Sequence, residues 1–163
     1  MLIAVVDYDH PDATVLIRAG QRDERERYGG EDATSVDPAE FAGQRGRFLV
    51  AYRDGLAVAC AGWRTSGGDA ELKRMLVVPT ARRAGVARAV LAELERTARD
   101  AGCHRMILET GLKQPEAVAL YHSAGYRPIP GFGYYADDPE SIHLGKLLDV
   151  SSPPSWLGRA AQA

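Results

Sequence analysis

The chain has 163 residues, 45% of them hydrophobic and 26% charged, with a formal net charge of -2; a chain near this length buries roughly 70% of its unfolded surface, enough for one core. That charge excludes a general binder of the nucleic acid backbone, which needs an excess of Lys and Arg on one face, so any anion site must be local. No stretch approaches the roughly 20 apolar residues of a membrane helix, and Cys60 and Cys103, far apart and outside any CxxC pair, suit a reducing compartment, so a cytoplasmic protein without nucleic acid or membrane partners is expected.

Leu2 to Val6 reads as a first strand. The acidic Asp7, Asp9 and Asp12 follow it at once, and no basic start precedes it, so no signal peptide is expected. His10-Pro11-Asp12 introduces a helical stretch in which Val15, Leu16 and Ile17 give way to the charged Arg22 to Arg27, read as a solvated helix face. Gly29-Gly30 breaks it, and Glu31 to Gly46 is polar and weakly patterned, a segment suited to covering a substrate site. Phe48 to Tyr52 and Leu56 to Trp63 flank Asp54-Gly55, a dipeptide that favours the positive φ angles of a two-residue hairpin, so these runs are expected to pair antiparallel. Ser66-Gly67-Gly68 turns the chain into a further strand, Glu71 to Val78, stopped by Pro79.

From Val86 the apolar positions Val90, Leu91, Leu94 and Ala98 recur at helical spacing up to a capping Gly102. Met106-Ile107-Leu108 makes a short buried strand. Pro115 opens a helix over Glu116 to Ser123 that ends at Gly125, and Ile142 to Leu148 is a last strand. The expected order is strand, helix, three strands, helix, strand, helix, strand, in one domain over residues 1–150. Ser151-Ser152-Pro153-Pro154 begins a loose tail over residues 151–163.

A strand ended by Pro79, a short loop carrying Arg82, Arg83 and Gly85, and a long helix together place unpaired backbone N–H groups at the positive end of a helix dipole. Gly85 and Ala87 leave room for a phosphate to approach the main chain, while Arg82, Arg83 and Arg88 add positive charge. The alternative is an Arg-rich surface turn, since short Gly motifs often match by chance. His10, His104, His122 and His143 show no metal-ligand spacing, and no metal is assigned.

Arg82-Arg83-Ala84-Gly85-Val86-Ala87 resembles the Q/R-x-x-G-x-G/A signature of the GNAT superfamily of N-acetyltransferases, placed as in that family between a central strand and a long helix. The match extends through Leu108-Glu109-Thr110-Gly111, Gln114-Pro115-Glu116-Ala117, Ala119-Leu120-Tyr121 and Ala124-Gly125-Tyr126, which look like a bacterial GNAT subgroup. It runs from about Phe48 to Leu147. The family usually has Gly where this chain has Arg83, often Gly at Ala87, and commonly Asn at Gln114.

The resemblance implies an α/β (α+β) three-layer fold, with a central mixed, mostly antiparallel twisted sheet flanked by helices. It implies an acetyl-CoA-dependent N-acetyltransferase acting by direct attack on a small-molecule amine, and leaves a homodimer open. Carried over to this chain, Arg82, Arg83, Ala84, Gly85, Val86, Ala87 and Arg88 would hold the coenzyme A pyrophosphate. Met75 and Val77 would offer main-chain groups to the acetyl carbonyl and pantetheine amides, their side chains serving as core, and Gln114 would touch the pantetheine arm. Tyr121 matches the general acid that protonates the leaving thiolate, the competing reading being an amphipathic core tyrosine. For the base, Glu71 falls where some relatives carry a glutamate; Glu109, which could instead cap or pair with Arg105, is its competitor, and ordered water is a third choice. Lys73 and Arg74 are expected on the wet face of their strand, with Arg74 open to a substrate role. Phe132 and Tyr134, with Tyr135, either wall an acceptor pocket or pack as a loop. A non-catalytic acyl-CoA sensor and a protein or peptide N-acetyltransferase are the alternative functions.

Overall fold

The structure, a computed structural model, describes residues 1–148; the expected tail at 151–163 lies outside them. Strand β1 (Leu2–Val6) leads to helix α1 (Pro11–Tyr28), then β2 (Gly46–Arg53), β3 (Leu56–Ser66) and β4 (Asp69–Val77) form a meander. Helix α2 (Val86–Asp100), β5 (Arg105–Gly111), α3 (Pro115–Ser123), a two-residue β6 (Arg127–Pro128) and β7 (Ser141–Leu147) complete the described chain. The order matches the sequence reading, with three additions: β6 and short 3-10 turns at Pro38–Phe41 and Pro79–Ala81. The first of these turns lies inside the unplaced Glu31 to Gly46 segment and is closed by a capping box, Asp37 accepting the Ala39 N–H and Glu40 the Asp37 N–H.

One seven-stranded sheet runs in the order β1-β2-β3-β4-β5-β7-β6. Every pairing is antiparallel except β4 with β5. Two cores lie against it. One packs α2 and α3 on the sheet around Trp63, Leu91, Leu94 and Leu108; the other packs Ala13, Leu16 and Ile17 of α1 on Phe48, Val50 and Cys60. Helices on both faces of a mostly antiparallel sheet make the three layers the sequence implied.

Two departures from regular pairing shape the middle of this sheet. Parallel β4 and β5 are paired only at Ala70↔Met106 and Glu71↔Ile107, and beyond those residues they part. On the other edge of β4 the register slips between Cys60 and Gly62, so that Arg74 and Met75 together oppose Ala61. This is a β-bulge, and Arg74 takes the left-handed φ of 59° that it demands. The Arg74 carbonyl accepts the Cys60 thiol at 3.3 Å, and burial pushes that thiol up to about 12. Cys60 is therefore an inert packing residue.

Candidate active site

Where β4 and β5 part, a cavity of about 320 Å³ opens, roofed by α1 and floored by the two strands. It is lined by Leu72, Met75 and Leu76 from β4, Glu109, Thr110 and Gly111 from β5, Gln114, Ala117 and Tyr121 from α3, and Gly20, Glu24 and Tyr28 from α1. Strand edges that part leave main-chain N–H and C=O groups without a ladder partner, which suits them to an extended ligand lying between them.

Tyr121 is 5% exposed and packs edge-on against Tyr126 with ring centroids 5.7 Å apart. Its hydroxyl reaches across from α3 to β4, where its one described partner is the Met75 sulfur at 3.7 Å. Burial first, and the Glu109 carboxylate second, push this phenol far above its ordinary value, so it stays protonated at any physiological pH. Met75 is thus a cavity-lining side chain facing the phenol as well as a packing residue, which corrects the expectation that it is simply core. Gln114 stands at the N-cap of α3, with Pro115 at N1. Its Oε1 is 3.5 Å from the Tyr28 hydroxyl, and that hydroxyl accepts the Lys113 N–H at 3.1 Å. Gly111 is what lets Tyr28 approach, since a Cβ there would lie 1.8 Å from the Tyr28 oxygen.

The two candidate bases are placed differently. Glu71 pairs with Arg64 at 3.5 Å and lines a second cavity, of about 520 Å³, that Tyr121 does not reach. Glu109 lines both cavities. It does not pair with Arg105, which forks onto Asp69 at 2.6 and 3.1 Å instead. No cation lies within ion-pair distance of Glu109 among the described residues. Burial pushes its carboxyl up to about 7, with a hydrogen bond from Ser141 pulling the other way and the Asp32 charge adding to the rise.

Lys73 and Arg74 are not on a wet face. Their side chains are 8% and 9% exposed, and both hold Asp32, at 2.5 and 3.2 Å. The bulge swings Arg74 under the segment that follows α1, where Tyr8 also meets its Nε at 3.3 Å. Burial works to raise the Asp32 carboxyl, but the Lys73 ammonium and hydrogen bonds from Thr34 hold it below the usual carboxylate range.

The charged end of α1 keeps its expected solvated face at the exposed Arg22, Arg25 and Glu26, but not all round. The inward stripe Ala13, Leu16, Ile17, Gly20 continues at helical spacing into Glu24 and Tyr28, which line the cavity. Arg27 bonds the Lys113 carbonyl at 2.7 Å and Glu116 at 2.7 Å, docking α1 on α3. Neither Asp32 nor Glu24 was among the sequence candidates. Counting on from Leu16 and Gly20 by threes and fours finds Glu24, whereas Asp32 has no local signal.

At the far end of β4, Arg82 turns back so that its Nε donates to the Val77 carbonyl at 3.0 Å. Arg83 is exposed with a φ of 63°, the left-handed conformation that explains a Gly preference there, and its side chain leaves the loop uncrowded. Ala84 is exposed as well. Gly85, at φ 77°, is the N-cap of α2, and no side chain caps that end. The first-turn N–H groups of α2, including those of Val86 and Ala87, have no acceptor within the helix, and the helix dipole makes this end positive. Arg88 bonds Ser123 at 2.6 Å, linking α2 to α3.

The second cavity is walled by Phe132, Tyr134 and Tyr135 as well as by Glu71 and Lys73. Phe132 packs edge-on against His143 at 5.1 Å, Tyr134 is 72% exposed, and Tyr135 accepts the Ala33 N–H at 2.8 Å. The loop thus lines a cavity while packing at Phe132 and Tyr135.

Seven strands in this order, with β4 and β5 left apart and helices on both faces, make a fold that this chain shares with known acyltransferases. The chain belongs to the acetyltransferase (GNAT) family, whose model matches residues 16–126. An "IAA acetyltransferase" of Azospirillum brasilense is 40% identical over 123 residues, 74% of this chain and 80% of that protein. Among solved structures, a Klebsiella pneumoniae protein described as an acyl-CoA N-acyltransferase is 31% identical with a TM-score of 0.76, over 90% of this chain and 97% of that one. The ribosomal-protein-S18-alanine N-acetyltransferase of Escherichia coli, at 20% identity and a TM-score of 0.63 over 93% and 96%, shares the fold. No helix of the described residues is long and apolar enough to cross a membrane.

Proposed function

We propose that this chain moves an acetyl group from acetyl-CoA to the primary amine of a small molecule, by direct attack through a tetrahedral intermediate. The observation that carries this reading is the meeting of Tyr121, Gln114 and Glu109 on one cavity that opens where β4 and β5 part. The donor fits the frame: the uncapped N-terminus of α2, with Gly85, Val86 and Ala87, offers main-chain donors to a pyrophosphate. Arg82, Arg83, Ala84 and Arg88 complete that loop, and the main chain of Met75 and Val77, with Gln114, faces the pantetheine arm. A cavity covered by α1 favours a small acceptor over a protein segment.

In the chemistry proposed, Glu109 takes a proton from the acceptor ammonium, and the freed amine forms a C–N bond to the thioester carbonyl carbon, giving a tetrahedral intermediate whose C–S bond then breaks. Tyr121 gives its hydroxyl proton to the departing sulfur. The second N–H proton, lost as the amide forms, restores the phenol through solvent, so one proton is released per turnover. Support for Glu109 over Glu71 as the base is its place beside Tyr121, its lack of a cationic partner and its elevation to about 7, the value that suits a base at neutral pH. Glu71, held by Arg64, then serves to order the wall of the second cavity.

The test is incubation with acetyl-CoA and a broad panel of primary amines, read by free thiol. Turnover is expected, with Tyr121→Phe lowering kcat about 100-fold or more while coenzyme A affinity stays the same. Tight coenzyme A binding with no turnover on any amine would sink the proposal and leave a non-catalytic sensor.

A further inference from the structure

The charge of the active-site cavity carries the argument from the reaction to the acceptor. Six carboxylates, Glu24, Glu31, Asp32, Glu109, Asp138 and Glu140, line it against a single cationic side chain, Arg74. Three of the six are matched: Asp32 by Lys73 and Arg74, Glu31 by Arg25, and Glu140 by Lys113 at 3.5 Å. Asp138 spends one oxygen on the Glu140 N–H at 2.8 Å. Asp138, Glu24 and Glu109 remain with no ion-pair partner among the described residues, and of these Glu24 on α1 and Glu109 on β5 stand on opposite walls.

Glu24 makes one bond, accepting the Asp32 N–H on Oε2 at 2.9 Å. Burial raises its carboxyl above the ordinary value, although the Asp32 N–H and the more distant Arg74 and Lys73 charges pull the other way. An independent mark of ligand space sits in the same cavity: the Tyr121 hydroxyl, on a side chain 5% exposed, has no nitrogen or oxygen partner among the described residues.

We propose that the acceptor is a linear diamine or longer polyamine, with one nitrogen delivered to Glu109 for reaction and a second, still protonated, nitrogen held by Glu24. This rests on the acetyl-transfer reading above. A monoamine brings one positive charge and must surrender it to react, leaving Glu24 half-buried without an ion-pair partner at the moment of attack. A diamine keeps its second ammonium and offsets Glu24 throughout. An acceptor bearing a carboxylate would bring a further negative charge into a cavity whose one guanidinium is already committed to Asp32.

The experiment compares kcat/KM for α,ω-diamines and triamines with that for n-alkylmonoamines of equal chain length, in the full chain with saturating acetyl-CoA. A diamine advantage of about tenfold or more is expected, as a charge-assisted contact supplies. Glu24→Gln should erase most of that advantage through KM, lowering the diamine's kcat/KM about tenfold more than the monoamine's, and Glu24→Ala should repeat the pattern. Equal kcat/KM for the two series, preference for carboxylate-bearing amines, or equal losses in both series would overturn the assignment while leaving acetyl transfer standing. Failure of every amine despite coenzyme A binding, by contrast, strikes the acetyl-transfer reading itself.

Discussion

Replacing Glu109 by Gln keeps the shape of the side chain and removes its charge, so the variant isolates what it costs the fold to hold a carboxylate in this cavity. An ordinary glutamate titrates at 4.5 and Glu109 at about 7. That difference corresponds to about 3 kcal/mol between the protonated and ionised forms, and solvent reaching a partly exposed group reduces it to about 2 kcal/mol. The sign follows from proton binding. Between pH 4.5 and about 7 the folded state holds a proton that the unfolded chain has released, so stability falls as pH rises through this window. Below it both states are protonated and Gln should behave as Glu does.

Glu109→Gln should therefore match the parent near pH 4 and exceed it by about 2 kcal/mol above pH 8, about 4–8 °C in Tm for a chain of this size. Urea unfolding across pH, followed by fluorescence with fully buried Trp63 as reporter, measures the difference directly. A gain that does not change with pH would refute the reasoning. So would a loss at high pH, because it would mean a cation pairs with Glu109 in solution.

The same group should shape the rate. kcat/KM should rise with pH through an inflection near 7 in the parent and lose that inflection in Glu109→Gln, leaving only the titration of the free amine; identical profiles would remove Glu109 from the proton path. Arg83→Gly relieves a left-handed residue that nothing else supports, and a gain of about 0.5 kcal/mol in chemical denaturation is expected after the greater freedom of Gly in the unfolded chain is counted. Gly111→Ala forces the Tyr28 hydroxyl away from β5, so it should raise KM severalfold and lower stability by about 1–3 kcal/mol, both measurable in one preparation.

Much of this fold is written locally. The Asp54-Gly55 turn pairs β2 with β3, both of its residues taking the positive φ that a primed turn requires. The apolar repeat of Val90, Leu91, Leu94 and Ala98 marks α2, and all four are fully or almost fully buried. The uncapped helix start after Gly85 and the place of Tyr121 on α3 follow from the same short-range signals, because turn chemistry and helical spacing act over only a few residues.

The cavity beneath α1 was decided by contacts that no local pattern encodes. Asp32 meets Lys73 across 41 residues, and Tyr28 meets Gly111 only because α1 lies over the gap. Arg74 leaves the wet face because a bulge in β4 turns it beneath α1, a matter of register against β3 and not of composition. The choice between Glu71 and Glu109 has the same origin. Side by side in a parallel sheet they look alike, but Glu71 lies opposite Arg64 in the β3–β4 ladder, while β4 and β5 part just after Glu71 and leave Glu109 on the cavity with Tyr121. Sequence alone thus determined the family frame and the loop before α2, because periodicity and turn residues act locally. Only the tertiary structure decided which carboxylates lose both water and partners, because desolvation is summed over groups brought together from distant parts of the chain.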